Sequence, residues 1–379
     1  MIYLDNSATT RPFPEVLQSF VKVSSDYFGN PSSLHNFGGK AEQLLRQARI
    51  QVSQLLSVKP QEIIFTSGGT EGNNLAIKGV ALANKHKGRH LITTNIEHAS
   101  VREVFHSLKG EGFKVTIIEA DRNGIVDPKH IENAMQDDTI LVSVMHVNNE
   151  VGTIQPIEEI GHIVKKYPTA SFHVDYVQGV GKVPLHFEKC GIDLCTMSGH
   201  KFHGLKGTGL LFIKDAVKIN PLFHGGNQEG KRRSGTENVA GAVSIAKALR
   251  MILEKYDTEK EHLQSLANEI KQGLELINGV IINTPEGSAP HIINFSVPQI
   301  KSEVLVHALE EKEVYVSTTS ACSSKHKTLS NTLIAMGVPK DRATSAIRIS
   351  LDYWNTMAEV KSALSAIKET IDVLRKVMK

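Results

Sequence analysis

Apolar positions along this chain follow two alternating rhythms. Ala41, Leu44, Leu45, Ala48, Val52, Leu55 and Leu56 recur at helical spacing and predict an amphipathic helix. Short unbroken apolar runs then appear at Ile63–Thr66, Leu91–Thr94, Val115–Ile118, Ile140–Val144, Ser171–Val174 and Leu194–Thr196, each reading as a strand. Helix-like stretches separate them, and the alternation lasts from about Phe37 to Ile213. Strands alternating with helices predict a mostly parallel sheet flanked by helices, an α/β fold. Ser100-x-x-Glu103 reads as a capping box opening the helix after His98.

A long helical stretch from Asn238 to about Asn278 leads into a different pattern. Strands are expected near Val280–Ile282, Ile292–Phe295, Val314–Val316 and Ala346–Ile349, with a closing helix from Thr356 capped by Asn355. The chain thus divides into a large unit, residues 16–255, and a smaller α+β domain made of residues 1–15 plus 256–379. Its length of 379 residues agrees, being more than one core usually serves.

Charge and cysteine content narrow the function. A net charge of +3, with Lys231-Arg232-Arg233 the only basic run, argues against direct nucleic-acid binding. No apolar run reaches membrane-spanning length, and Met1-Ile2-Tyr3-Leu4-Asp5 reads as neither signal nor transit peptide, so no membrane partner is expected. Three cysteines make no disulfide scaffold, which points to a reducing, cytoplasmic setting. Cys190 and Cys195 are too far apart for a CxxC pair and read as core residues; no metal site is expected.

Ligands of open α/β sheets bind outside the carboxyl ends of the strands. Polar clusters occur at those ends: Ser67 to Asn74, Glu97-His98, His146 to Glu150, Asp175, and Ser198-Gly199-His200-Lys201. The first is rich in small residues and opens a helix, so its bare N–H groups, with Gly69 and the Thr70 hydroxyl, suit a phosphate; a tight βα turn is the plainer reading. It is neither a Walker A loop nor GxGxxG, which disfavours a nucleotide. Lys201 after one strand and Asp175 at the end of the preceding one suit an aldehyde cofactor held by the lysine with its ring nitrogen kept protonated by the acid. His98 could stack on such a ring, and Asn149 and Gln178 could reach its oxygen, Gln178 from a helix beginning nearby. Ser198 and His200 could donate to a phosphate; turn chemistry explains all of these equally simply.

Two residues in the second half stand out. Cys322 lies in the polar stretch Ser317 to Lys327, with two lysines close by, where a thiol can ionise and attack. Arg348 interrupts an apolar strand, which is costly unless it meets an anion, either a substrate carboxylate or a structural partner.

Taken in order, these residues resemble the cysteine desulfurases, the NifS/IscS-like group of fold-type I pyridoxal-phosphate enzymes in the class V aminotransferase family. The resemblance runs almost end to end, through Tyr3 to Thr10, Phe28 to Ser33, Phe65 to Glu71, Met145 to Glu150, His173-Val174-Asp175, Ser198 to Lys201, Arg233 to Thr236, Ser320-Ala321-Cys322 and Ile347-Arg348. It implies that Lys201 carries pyridoxal 5'-phosphate, Asp175 pairs with the ring nitrogen, His98 stacks on the ring, and Asn149 and Gln178 approach the ring oxygen or the substrate. It further implies that Gly69, Thr70, Ser198 and His200 bind the phosphate, joined by Thr236 from the partner subunit of a homodimer. Arg348 would hold the carboxylate of L-cysteine. Cys322 would take the sulfur as a persulfide, release alanine and pass the sulfur to an acceptor protein for tRNA thiolation, iron–sulfur cluster or other cofactor assembly. The chain departs from the group's usual pattern at Thr319, where glycine is common, and in the stretch after Cys322. A selenocysteine lyase or aminotransferase on the same fold, or a non-catalytic sulfur carrier, are the alternatives.

Overall fold

The structure is a computed structural model that describes residues 1–318 and 329–377. Its strands are β1 (Ile2–Tyr3), β2 (Ile63–Thr66), β3 (His90–Thr94), β4 (Lys114–Ile118), β5 (Thr139–Met145), β6 (Ser171–Asp175), β7 (Leu194–Ser198), β8 (Gly209–Ile213), β9 (Ile281–Ile282), β10 (Ile292–Ser296), β11 (Val314–Tyr315), β12 (Ser317–Thr318) and β13 (Ala346–Ser350). The helices are α1 (Pro14–Asp26), α2 (Asn36–Leu56), α3 (Gly69–Asn84), α4 (Ala99–Gly110), α5 (Pro128–Ala134), α6 (Ile157–Val164), α7 (Val239–Glu275), α8 (Ser302–Glu310), α9 (Asn331–Ala335), α10 (Lys340–Thr344) and α11 (Met357–Val377).

Seven strands form the central sheet in the order β2-β8-β7-β6-β5-β3-β4. The run from β7 to β4 is parallel, while β8 lies antiparallel between β7 and β2. All six strands expected from the apolar runs are present. The additional β8 follows β7 without an intervening α-helix, so the strand–helix alternation gave no cue to it. β3, β5, β7 and β8 are buried along their whole length, as strands covered on both faces must be. Helix α2 buries Ala41, Leu45, Ala48 and Val52, the stripe its spacing predicts.

The second unit is built on a four-stranded antiparallel sheet, β12-β13-β10-β9. β11, the strand expected near Val314, lies outside this sheet and pairs in parallel with β1. Thus the amino terminus runs beside the carboxyl-terminal third before crossing to the large sheet. α7 continues unbroken through residue 255, the expected boundary, so both units pack on one helix.

Three local expectations need correction. Helix α4 is capped by His98, whose Nδ1 accepts the Ser100 N–H, and Glu103 pairs with its neighbour Arg102 instead of closing a box with Ser100. A capping box forms instead at the start of α11: the Thr356 N–H donates to Glu359 and the Glu359 N–H to Thr356. Asn355 is spent instead on accepting the Asp352 N–H and donating to Tyr3 O. No helix begins at Gln178; the chain there makes consecutive turns.

Candidate active site

Five strand ends surround one cavity of about 250 Å³. Gly69 and Thr70 follow β2, His98 follows β3, Asn149 follows β5, Asp175 ends β6, and Ser198, His200 and Lys201 follow β7; all line it, with Gln178 and Arg348. Thr236 does not. It lines a neighbouring cavity with Ser67, Gly207 and Arg233. Cys322 lies outside the described residues. On either side of that segment, Thr318 pairs with Ile347 and the Ser330 hydroxyl donates to Glu150.

Lys201 ends a single helical turn after β7. Its Nζ donates to Ser7 O at 2.5 Å and Ala8 O at 2.9 Å. The Gln178 amide donates to the same Ser7 carbonyl at 3.1 Å. The segment Ser7-Ala8 is therefore part of the site, although sequence reasoning gave it no role of its own.

Asp175 sits on the cavity wall opposite Met145 in the β5–β6 register. Its Oδ1 accepts the Val177 N–H at 3.0 Å and its Oδ2 accepts the Asn73 amide at 2.8 Å. Asn73 also donates to Ser100 Oγ at 2.8 Å, and Ser100 Oγ lies 2.8 Å from His98 Nδ1. Since that nitrogen accepts the Ser100 N–H, the ring proton of neutral His98 sits on Nε2. Asn73 was not singled out from the sequence, and Ser100 only as a helix cap. Asn73 falls three residues after Thr70, hence on the same helical face, and that spacing is the signal that finds it.

One end of the cavity meets the N-terminus of α3. Gly68, at φ +151°, makes the turn that brings Gly69 against Ser198. Sixteen residues of helix then aim a positive end and free N–H groups at this point. His200 joins it; burial, then the Lys201 and Lys206 charges, lower its pKa to about 4, so the ring is neutral. The Arg233 guanidinium donates to Glu71 at 2.8 Å, fastening the loop before Thr236 to the same helix. Burial would raise the Glu71 carboxyl, but Arg233 and the Ser67 N–H outweigh it and hold it low.

Two acids adjoin the cavity lining, buried Glu97 next to His98 and half-buried Glu150 next to Asn149. Glu97 Oε1 accepts the Thr94 hydroxyl at 2.7 Å and the Met145 N–H at 2.9 Å, while burial pushes its pKa up to about 8. Burial also raises Glu150, partly offset by Ser330 and Arg348. Arg348 donates to Asn149 O at 2.8 Å and to Asp5 Oδ1 at 2.9 Å. The structural ion pair weighed from the sequence is thus present, and Nε is buried without a partner among the described residues.

The donor set fits a flat ring with an anionic arm: an acid for a ring nitrogen, an amine, an imidazole and a helix N-terminus with Thr70 and Ser198 hydroxyls. Ser7 Oγ and Asn73 Oδ1, buried on the same cavity and without a hydrogen-bond partner among the described residues, leave polar capacity for a bound group.

Comparison with known proteins accounts for that fit. Residues 2–362 match the family described as aminotransferase class-V. A NifS/IcsS protein homolog of Lactobacillus delbrueckii is 46% identical over 374 residues, covering 97% of both chains. A cysteine desulfurase IscS of Dictyoglomus turgidum is 42% identical over 99% of this chain and 95% of its own. A solved NifS-like protein superposes with a TM-score of 0.93 at 40% identity, covering 98% of this chain and 99% of that one. A structure of SspA in complex with cysteine reaches 0.81 at 32% identity, over 94% of this chain and 100% of that one.

The chain belongs to the class-V aminotransferase family, whose members work on a pyridoxal-phosphate cofactor. Within that family it is a cysteine desulfurase of the NifS/IscS type.

Proposed function

We propose that this desulfurase converts L-cysteine to L-alanine and carries the sulfur away as a persulfide on Cys322. The observation that carries the reading is that Lys201, Asp175 and the N-terminus of α3 share one cavity with His98 and Arg348.

Lys201 Nζ would carry pyridoxal phosphate and, as a neighbouring amine, move the substrate's α-proton. Asp175, with both carboxylate oxygens already oriented by N–H donors, would keep the ring nitrogen protonated. His98 would cover the ring face, with Nε2–H available to donate and Nδ1 occupied by the Ser100 N–H. Gly69, Thr70, Ser198 and neutral His200 would bind the phosphate. Asn149 and Gln178 would approach the ring oxygen, and Arg348 the substrate carboxylate. When bound, the cofactor supplies an electron sink that makes the substrate C–S bond breakable. The Cys322 thiolate forms an S–S bond to the substrate sulfur as that C–S bond breaks. The electron pair stays with carbon, which is protonated to give alanine.

A homodimer is the assembly this reading favours. Phe28 and Leu34 are large exposed apolar side chains near the start of α2. Thr236, expected at the phosphate, lines a different cavity of its own chain and could meet the site of a second copy. A cytoplasmic setting fits a chain in which, among the described residues, no helix is long and apolar enough to cross a membrane. The acceptor would be a protein serving tRNA thiolation or iron–sulfur assembly.

The test is a pair of variants. Lys201→Ala should lose the yellow absorbance of lysine-bound pyridoxal phosphate. Cys322→Ser should keep it while losing sulfide release and the persulfide mass shift on the Cys322 peptide. Full sulfide release by Cys322→Ser would sink the persulfide step.

A further inference from the structure

Two residues beyond Lys201, His203 is buried at φ +63°, a left-handed backbone rarely adopted by a non-glycine residue. Its N–H donates to Thr10 Oγ1 at 2.7 Å, and both ring nitrogens are engaged. Nδ1 lies 2.7 Å from the Arg11 carbonyl oxygen and Nε2 lies 2.9 Å from Asp352 Oδ2. A carbonyl only accepts, so Nδ1 must donate.

The same Asp352 oxygen accepts Lys182 Nζ at 2.6 Å. Burial alone would raise the Asp352 carboxyl, but Lys182 and His203 hold it far below the carboxylate range, so it is ionised. An ionised carboxylate also only accepts, so Nε2 must donate too. The surroundings suit two cations on one anion. Lys182 Nζ stands 4.4 Å from the Tyr353 ring centroid. The His203 ring stacks on Phe13 at 4.4 Å and tilts against Trp354 at 4.8 Å.

We propose that Asp352 is a positioning residue for Lys201: it holds His203 as a doubly protonated ring, and this buried cluster sets the turn from which Lys201 projects. Lys182 follows β6, His203 follows β7, and Asp352 follows β13 of the smaller unit, so the cluster ties the Lys201 turn across both units. The tie is continued by backbone, since the Thr10 N–H donates to His200 O and the Phe13 N–H to His203 O. The consequence for Lys201 rests on the reading of Lys201 as the cofactor lysine.

Two measurements test it. In full-length holo-protein with 15N-labelled histidine rings, His203, assigned by its loss in His203→Gln, should show two protonated ring nitrogens at pH 7. A singly protonated ring overturns the cluster. After cofactor removal, Asp352→Asn should regain the yellow absorbance on adding pyridoxal phosphate about ten-fold or more slowly than wild type, because small displacements of a reacting group cost about that much. Asp352→Glu should recover most of the rate. Equal rates in wild type and Asp352→Asn overturn the positioning role. Should Asp352→Asn not fold, His203→Gln supplies the same comparison with the same expected slowing. If wild type and Lys201→Ala take up the absorbance alike, the reading of Lys201 fails and the positioning role with it, while the ring protonation is decided separately.

Discussion

The Asn73 amide donates to Asp175 Oδ2 at 2.8 Å, and through Ser100 it connects that acid to His98. The acid assigned to one edge of the cofactor ring and the imidazole assigned to its face are therefore oriented by a single side chain on α3. Removing it leaves Asp175 Oδ2 buried without its N–H donor. A hydrogen bond to a charged group contributes about 1.5–3 kcal/mol. Asn73→Ala should accordingly weaken pyridoxal-phosphate retention about ten- to hundred-fold, read by titrating the apo-protein. Asn73→Asp, which sets a like charge against Asp175, should weaken it further.

Gly72 determines how closely α3 approaches the sheet. A Cβ at this position would stand 2.7 Å from Thr196 Cγ2, on the β7 residue that pairs with Asp175. Gly72→Ala should therefore push α3 outward and destabilise the fold by about 1–3 kcal/mol, as overpacking does. Urea unfolding measures it. An unchanged midpoint with normal cofactor retention would show that the helix does not need this close approach.

The parts of the site carried by strand ends were legible because apolar runs mark where strands stop, and chemistry follows them. Asp175, His98, Asn149 and the Lys201 loop all belong to this class, and all line the cavity. What stayed hidden depends on tertiary closure. Ser7 and Ala8 meet Lys201 only because β1 pairs with β11, a contact between residues more than 300 positions apart. The His98 cap was hidden because the imidazole takes the Ser100 N–H that Glu103 would accept in a capping box, and no local pattern ranks the two acceptors. Nothing in the local sequence marks Asp352 and Lys182, 170 positions apart, which the fold buries together.

Glu97 makes a pH-dependent prediction. Its folded pKa, about 8, lies above the ordinary value of 4.5, so the folded state holds a proton that the unfolded state releases between those values. Its contribution to stability is fully present below about pH 4.5 and is lost as the pH rises toward 8. Each unit of difference corresponds to about 1.4 kcal/mol. Glu97→Gln keeps an acceptor for Thr94 and Met145 but cannot ionise. It should match wild type in urea at pH 5 and become more stable than wild type by a few kcal/mol at pH 8. A constant difference across that range would mean Glu97 is already ionised in the fold.

Arg348 is shared between a structural partner and the role assigned to it. Its guanidinium holds Asp5 and the Asn149 carbonyl, and the family pattern assigns it the substrate carboxylate. Arg348→Lys keeps the charge but loses the planar fork, so KM for L-cysteine should rise about ten-fold or more, with kcat changing less. Asp5→Asn separates the two uses. It removes the carboxylate that competes for the guanidinium, so KM should stay level or fall while stability drops by about 1–3 kcal/mol. If Asp5→Asn instead raised KM as much as Arg348→Lys, the ion pair would be what shapes the cavity. Arg348 would then act by holding β13 against the turn after β5, with some other group meeting the substrate carboxylate.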